Sequence, residues 1–355
     1  MIQTFNGNAP DDTFDNYCQW LLSCCNSSTF QHYRQQGLWD SYYVRTVTNE
    51  EKPMLCTVPN KNLSHEFKAL IYSWTMDECD LNDHLDHPNI YKIHTGYVHH
   101  TETINQLATY TQYVSLGTLQ FCNSALHELR PMNWTNKMEI RMTLDIALGV
   151  ANGLKYLFDQ GLTHGNLRSS KVLLHLTNHS IDVQLKDLVS IDFSNGDTSG
   201  SYGSNQCWYA PDTSDHEGSE ELTQAMNIWG LGMILVSLDT HAEPFANMHR
   251  HFTPPLYGKE AQLKYYQGTP RRGYTFDYND LSSKKCPEWY KYLIKCCLTV
   301  DPVERPSIEW IIRYLQYFRN PTQLIDENFK EELIATVFHP DRYTPFLQNN
   351  YESFM

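Results

Sequence analysis

Side chains that could do chemistry are concentrated in two short segments, 164–174 and 183–189, of this 355-residue chain. The first segment contains Asn166 and Lys171, and the second contains Asp187. A carboxylate can accept the proton of a hydroxyl group, whereas an amide cannot. A hard metal ion needs oxygen ligands, and an ammonium group repels it. The residue types at these three positions therefore bear on two activities, the activation of a hydroxyl group and the binding of a metal ion.

The composition excludes several classes of protein. With 41% hydrophobic and 19% charged residues, the chain can bury a core and is not disordered throughout. Its 27 basic and 41 acidic residues give a net charge of −14, which disfavours nucleic-acid binding because phosphate contacts need a basic surface. The ten cysteines include no CxxC pair and no Cys/His set at metal-ligand spacing, so we expect neither structural disulfides nor zinc.

Two features of the sequence bear on where the protein works. The first residues lack a basic segment leading into an apolar run, and Ile2 stands where myristoylation requires glycine. The longest strongly apolar stretch, Trp229 to Leu238, is too short to cross a bilayer and is predicted to be a buried core helix. We therefore expect a cytoplasmic protein that does not insert into a membrane.

The elements that would position the chemical side chains form a small β-rich part followed by a larger helical part. β-Prone runs on either side of the turn 49–53 predict a hairpin over 39–58. Segment 66–85 has a helical pattern, and Pro88 follows it. Strand character returns in two later segments, 90–98 and 107–114. Helical spacing of apolar or aromatic residues predicts three further helices, at 14–20, 138–160 and 307–317.

Seven groups of residues occur in one order, and together they resemble the landmarks of the protein kinase fold from about residue 37 to 319. The first four are Gly37-x-Trp39-x-x-Tyr42-x-Val44, then Met54-Leu55-Cys56-Thr57, then Glu78 followed by His87-Pro88-Asn89-Ile90, and then Thr111-Gln112-Tyr113-Val114. The last three are His164-Gly165-Asn166-Leu167 through Leu174, then Lys186-Asp187-Leu188, and then Ala210-Pro211-Asp212 with Asn227 to Gly232 and Arg305-Pro306.

This resemblance implies an α+β, bilobal protein kinase-like fold with a small β-rich N-lobe and a larger helical C-lobe. It divides the chain into four parts: an N-terminal extension with a helix at 1–36, the N-lobe at 37–114, the C-lobe at 115–320 and a C-terminal tail at 321–355. Phosphoryl transfer depends almost entirely on positioning and charge neutralisation, so each position can be compared with its task.

The catalytic positions implied by the resemblance are degenerate. Thr57 stands where a kinase has the phosphate-binding lysine, and it offers Glu78 no charge to pair with. Asn166 stands at the catalytic aspartate, and Lys171 replaces a metal-binding asparagine. Asp187 matches the other metal ligand, but no glycine follows it within two residues. We therefore expect no catalytic residue and no bound metal.

The nucleotide pocket implied by the resemblance is also altered. Trp39 and Tyr42 occupy glycine positions of the phosphate loop, where side chains compete with phosphate. Leu55 adds volume where a small residue normally faces the adenine ring. The complete degenerate pocket consists of Gly37, Trp39, Tyr42, Val44, Leu55, Glu78, Thr111, Tyr113, Leu173 and Asp187. We expect ATP binding that is weak or absent, and so no cofactor.

Several architectural positions are retained in the resemblance. Asn227 stands where an aspartate would hold the catalytic-loop backbone, and its amide oxygen can accept the same hydrogen bonds. Asp212 and Arg305 resemble an ion pair of the lower lobe. His164, Leu188 and Ile93 resemble members of the hydrophobic spine, whereas the polar Asn82 departs from it.

The chain therefore resembles a pseudokinase, a catalytically inactive scaffold or allosteric regulator that acts through a protein partner or a larger protein assembly. The His-Gly-Asn form of its loop is similar to that of receptor guanylyl cyclase kinase-homology domains, Janus-kinase regulatory domains and nuclear-receptor-binding-protein pseudokinases, and the branch stays open. One alternative is a nucleotide-sensing pseudokinase in which Lys171 or Lys186 replaces the metal charge. Another is an unorthodox kinase or transferase with residual activity, in which Lys61 substitutes for the missing amine.

Overall fold

The computed structural model describes most of the segments that carry the predicted elements. The described residues are 39–45, 53–59, 62, 64–98, 106–112, 114–127, 132–177, 180–188, 208, 210, 224–242, 244, 283, 285–299 and 301–320. In the strands 39–45, 53–59, 93–98 and 106–112 the description concerns the backbone, except at Ile93. Predictions for Gly37, Lys61, Tyr113, Asp212, the helix at 14–20 and the tail at 321–355 lie outside the described residues.

A four-stranded antiparallel sheet forms the first part of the described chain. Its strands are β1 (Trp39–Arg45), β2 (Pro53–Pro59), β3 (Ile93–Val98) and β4 (Gln106–Gln112), in the spatial order β1-β2-β4-β3. The register pairs Trp39 with Pro59 and Arg45 with Pro53. The predicted hairpin is therefore confirmed.

Helix α1 (His65–Asp83) connects β2 to β3, at the position where the sequence predicts a helix. The turn after it is tied to a second, three-stranded antiparallel sheet. That sheet contains β5 (Gly117–Thr118), β6 (Val172–Leu176) and β7 (Ile181–Leu185), in this order. The backbone N–H of Leu185 donates to the carbonyl oxygen of Asn89 at 2.8 Å. The N–H of Tyr91 donates to the carbonyl oxygen of Leu185 at 2.9 Å.

The remaining described elements are mainly helical. They are α2 (Leu119–His127), α3 (Lys137–Asp159), α4 (Gln224–Thr240), α5 (Glu288–Cys297) and α6 (Ile308–Arg319), with short 3-10 turns at Ser169–Lys171 and Pro302–Glu304. Side-chain oxygens cap two of the predicted helices, Asn136 at the start of α3 and Ser307 at the start of α6. Both helices begin within one residue of the predicted positions.

The core lies around α3 and α4. Every residue from Asn227 to Asp239 of α4 is buried, which is typical of a helix surrounded by other elements and agrees with its continuous apolar sequence. Helix α3 packs closely on β7, because a Cβ atom at Gly149 would lie 2.4 Å from the Cβ of Val183. This close packing sets the position of β7 and of the residues that follow it.

The described elements are helices and antiparallel strands, as the α+β prediction requires. None of the helices in the described segments is long and apolar enough to span a bilayer. The boundaries of the four predicted parts stay predictions.

Candidate functional site

The loop between α3 and β6 carries the first set of candidate residues. The backbone N–H of His164 donates to the side-chain oxygen of Asn227 at 2.9 Å, which confirms the anchoring role predicted for that amide. His164 is fully buried, and Asn166 is 8% exposed. The N–H of Asn166 donates to the carbonyl of His164 at 2.9 Å, so the loop turns tightly at this point.

Asp187 lies in contact with two lysines. Lys171 Nζ is 2.5 Å from Asp187 Oδ2, and Lys186 Nζ is 3.2 Å from the same oxygen. The backbone N–H of Lys186 donates to the carbonyl of Lys171 at 3.0 Å, which aligns the two segments. Asp187 has a φ of 57°, a left-handed conformation that aspartate tolerates better than most residues. We refer to these three residues as the Lys–Asp–Lys cluster.

The charges of the Lys–Asp–Lys cluster shift each other's protonation. Burial raises the pKa of the Asp187 carboxyl, but Lys186 and Lys171 outweigh this effect and hold the pKa well below its usual value. Burial lowers the pKa of Lys171, because its side chain is only 16% exposed. The positive charges of Lys186 and Arg168 lower this pKa further, whereas the Asp187 carboxylate raises it. The Asp187 side chain stays 39% exposed, so water screens the pairs. A carboxylate flanked by two ammonium groups follows from this geometry.

Glu78 lies on the buried side of α1, 8% exposed, and reaches the residue after Asp187. Its Oε1 atom accepts the backbone N–H of Leu188 at 2.7 Å. The two residues are 110 positions apart, so no local pattern in the sequence predicts this contact.

Asn82, one turn after Glu78, is a further buried polar residue of α1 that contacts the backbone of another segment. It is 1% exposed, its Nδ2 donates to the carbonyl of Tyr91 at 2.7 Å, and its Oδ1 accepts the N–H of Ile93 at 3.1 Å. The polar side chain of Asn82, which departs from the apolar spine, therefore holds the backbone at Tyr91 and Ile93. Ile93 and Leu188 are both buried, but in two different apolar clusters.

The predicted pocket residues of the first sheet are placed by its backbone. Trp39, Tyr42 and Val44 lie in β1 and pair with Pro59, Cys56 and Met54 of β2. Thr57 pairs with Ser41 on one side and Thr109 on the other, and Leu55 pairs with Thr111. The glycine-loop positions Trp39 and Tyr42 are thus part of a paired strand.

Leu173 is the pocket residue of the second sheet. It is 6% exposed and packs with Cys79, Tyr91 and Ile93 in the smaller apolar cluster. It thereby joins β6 to α1 and β3.

A cavity of about 510 Å³ lies away from these residues, between α3 and β7. Its walls include Asn89, Asp145 and Arg319, whereas Asn166, Lys171 and Asp187 do not line it. Asp145 accepts two hydrogen bonds from Arg319, at 2.5 and 3.2 Å, which joins α3 to α6.

Comparison with known proteins assigns the chain to a family. The sequence profile of the protein kinase domain matches residues 43–318. The chain belongs to the protein kinase domain family. The kinase-like fold expected from the seven groups of residues is confirmed at this level.

Several curated proteins are similar to this protein kinase domain. Cytokinesis protein sepH of Emericella nidulans is 30% identical over 49% of the chain and 11% of its own length. Serine/threonine/tyrosine-protein kinase HT1 of Arabidopsis thaliana is 24% identical over 76% of the chain and 60% of its own length. Ovarian-specific serine/threonine-protein kinase Lok of Drosophila melanogaster is 27% identical over 46% of the chain and 32% of its own length. The matched part of the chain thus spans about a tenth of sepH and less than two thirds of the other two.

Proposed function

We propose that this protein kinase domain keeps its fold without phosphoryl transfer and works as a pseudokinase, a protein-binding scaffold or allosteric regulator. The supporting observation is the Lys–Asp–Lys cluster, in which two ammonium groups lie 2.5 and 3.2 Å from the Asp187 carboxylate. Phosphoryl transfer in this family requires a divalent cation at that carboxylate to neutralise the phosphates.

The cluster does not suit a divalent cation. Two unit charges 4 Å apart interact by about 4 kcal/mol near a protein surface, and a doubly charged ion would feel about twice that repulsion from each lysine. The carboxylate that would attract the ion is already neutralised by the same lysines. Lys171 also removes the oxygen ligand expected at its own position, so the chain replaces the metal charge with its own.

Two other degenerate positions also argue against phosphoryl transfer. Asn166 offers an amide where a carboxylate would accept the hydroxyl proton. Thr57 lies in β2, paired on both sides, at the position aligned with the phosphate-binding lysine. Together these positions support a protein that functions by offering a binding surface to a protein partner in the cytoplasm. The net charge of −14 disfavours a nucleic-acid partner.

A phosphorylation assay tests this proposal. The purified chain is incubated with labelled ATP, either Mg²⁺ or Mn²⁺, and a mixed protein substrate, and Asp187→Ala serves as the control variant. We expect no incorporation above the Asp187→Ala background. Nucleotide-dependent incorporation that disappears in Asp187→Ala would refute the proposal and favour an unorthodox kinase or transferase, as the names of the relatives HT1 and Lok suggest.

The Lys–Asp–Lys cluster also favours a second candidate function, the sensing of a nucleotide without metal. Its two ammonium groups and one carboxylate leave a net positive charge that could attract a phosphate group. A ligand at a hundred times its dissociation constant stabilises a protein by about 2.7 kcal/mol. Thermal-shift titration with ATP and EDTA should show this stabilisation in the natural chain and less of it in Lys186→Ala. No shift with any nucleotide would reject this candidate.

A further inference from the structure

Helix α1 binds two separate backbone segments through two buried polar side chains one turn apart. Glu78 accepts the N–H of Leu188 at 2.7 Å, and Asn82 accepts the N–H of Ile93 at 3.1 Å. Residues four apart lie on the same face of a helix, so both contacts are made by one side of α1. The Nδ2 group of Asn82 adds a third bond, to the carbonyl of Tyr91.

These contacts close a ring of hydrogen bonds. Tyr91, held by Asn82, donates its N–H to the carbonyl of Leu185 at 2.9 Å. Leu185 ends β7, and three residues later Leu188 donates to Glu78 on the starting helix. The ring therefore runs from α1 through residue 91 to β7 and back to α1. Glu78 and Leu188, 8% and 4% exposed, close it away from solvent.

We propose that Glu78 is a latch that holds the start of the segment after Asp187 against α1 without any bound ligand. The bond joins a side-chain oxygen to a backbone donor in a region closed to solvent, where a hydrogen bond is stronger than in water. Because Leu188 follows Asp187 directly, the latch also fixes the backbone that carries the Asp187 carboxylate to its two lysines. The latch requires an acceptor oxygen at position 78 and does not require a negative charge.

Hydrogen exchange at the Leu188 amide reports the latch directly, and three variants separate it from a loss of folding. Glu78→Gln keeps a carbonyl oxygen that can accept the bond, whereas Glu78→Leu has no acceptor. Asp77→Leu is the matched control, because it places leucine at the neighbouring exposed position of α1. All measurements use the full chain without nucleotide, and exchange at the buried amides of α4 monitors global stability.

We expect roughly ten- to hundredfold faster exchange at Leu188 in Glu78→Leu, which corresponds to leaving one buried donor without its acceptor. Protection should be largely kept in Glu78→Gln and unchanged in Asp77→Leu. Unchanged protection in Glu78→Leu, or equal loss in Glu78→Gln and Glu78→Leu, would overturn the latch. The latch would also be overturned if, in Glu78→Leu, exchange at Leu188 increased only as much as exchange at the buried amides of α4. The exchange result does not depend on whether the chain transfers phosphate, so the two proposals can fail separately.

Discussion

The side-chain oxygen of Asn227 accepts a hydrogen bond from the backbone N–H of His164 at 2.9 Å. Both residues are buried, and Asn227 begins the fully buried stretch of α4. The amide oxygen provides the acceptor that an aspartate would provide, without placing a charge in the core. A neutral side chain on a core helix thus fixes the loop that leads to Asn166 and Lys171.

Replacement of Asn227 by alanine should destabilise the protein. The buried N–H of His164 would lose its acceptor, which costs about 1–3 kcal/mol. Urea unfolding followed by tryptophan fluorescence measures the loss. Asn227→Asp, which keeps an acceptor oxygen, is the control. Equal stability of Asn227→Ala and the natural chain would show that the bond does not hold the loop.

His164 should make the protein less stable in mild acid. Burial lowers the pKa of its imidazole from 6.5 to about 4 in the folded protein, the nearby Lys171 contributes to the decrease, and Asp187 opposes it. Between these two pH values the unfolded chain binds a proton that the folded chain does not, so stability falls as the pH decreases from 6.5 towards 4. The total loss from this residue is about 3 kcal/mol.

The measurement is chemical denaturation of the natural chain and of His164→Leu at pH 7 and pH 5. The leucine variant has no titrating group at this position, so its stability should decrease less between the two pH values. A decrease of the same size in both proteins would contradict the assignment.

The hairpin and the helices α1, α3, α4 and α6 could be predicted because their signals are local, whereas the sequence analysis predicted neither α2 nor α5. Continuous apolar residues identify the buried α4, and the capping residues Asn136 and Ser307 mark the starts of α3 and α6. The order of the kinase-like groups was enough to predict the family. These features depend on residues that are close together in the sequence.

The contacts of the candidate site could not be predicted in the same way. Glu78 and Leu188 meet across 110 positions, and the sequence shows no pattern that connects them. The lysine at position 186 indicated an extra charge, but its distance of 3.2 Å from the Asp187 carboxylate depends on the turn after β7. The resemblance implies that Trp39 and Tyr42 stand at glycine positions of a phosphate loop. The structure adds that both residues lie in the extended strand β1, a conformation that aromatic residues favour.

Asp239 should be important for the stability of the helical part. It is fully buried at the end of α4 and accepts hydrogen bonds from Trp134 Nε1 at 2.6 Å and from the N–H and hydroxyl of Ser283 at 2.6 and 2.7 Å. Asp239→Ala would leave these donors without their acceptor, and we expect a loss of about 3 kcal/mol or more.

Thermal and urea unfolding of two variants test the role of Asp239. Ser283→Ala removes only the hydroxyl bond and should cost about 1 kcal/mol. The carboxylate is not the anchor if Asp239→Ala costs no more than Ser283→Ala.

Removal of the two lysines from the Lys–Asp–Lys cluster should give Asp187 the ability to bind a divalent cation. In the double variant Lys171→Asn with Lys186→Ala, the carboxylate gains an amide oxygen beside it and loses both ammonium groups, which is the ligand chemistry that Mg²⁺ prefers. The natural chain should show no Mg²⁺-dependent rise in melting temperature. The double variant should be stabilised by about 1.4 kcal/mol at ten times its dissociation constant for Mg²⁺.

Lys155→Ala, on the surface of α3, controls for a general charge effect, since its partner Asp159 lies 54% exposed. If the natural chain gains as much stability from Mg²⁺ as the double variant does, the lysines do not exclude the metal. The case against phosphoryl transfer would then rest on the other altered positions, Asn166 and Thr57 first among them.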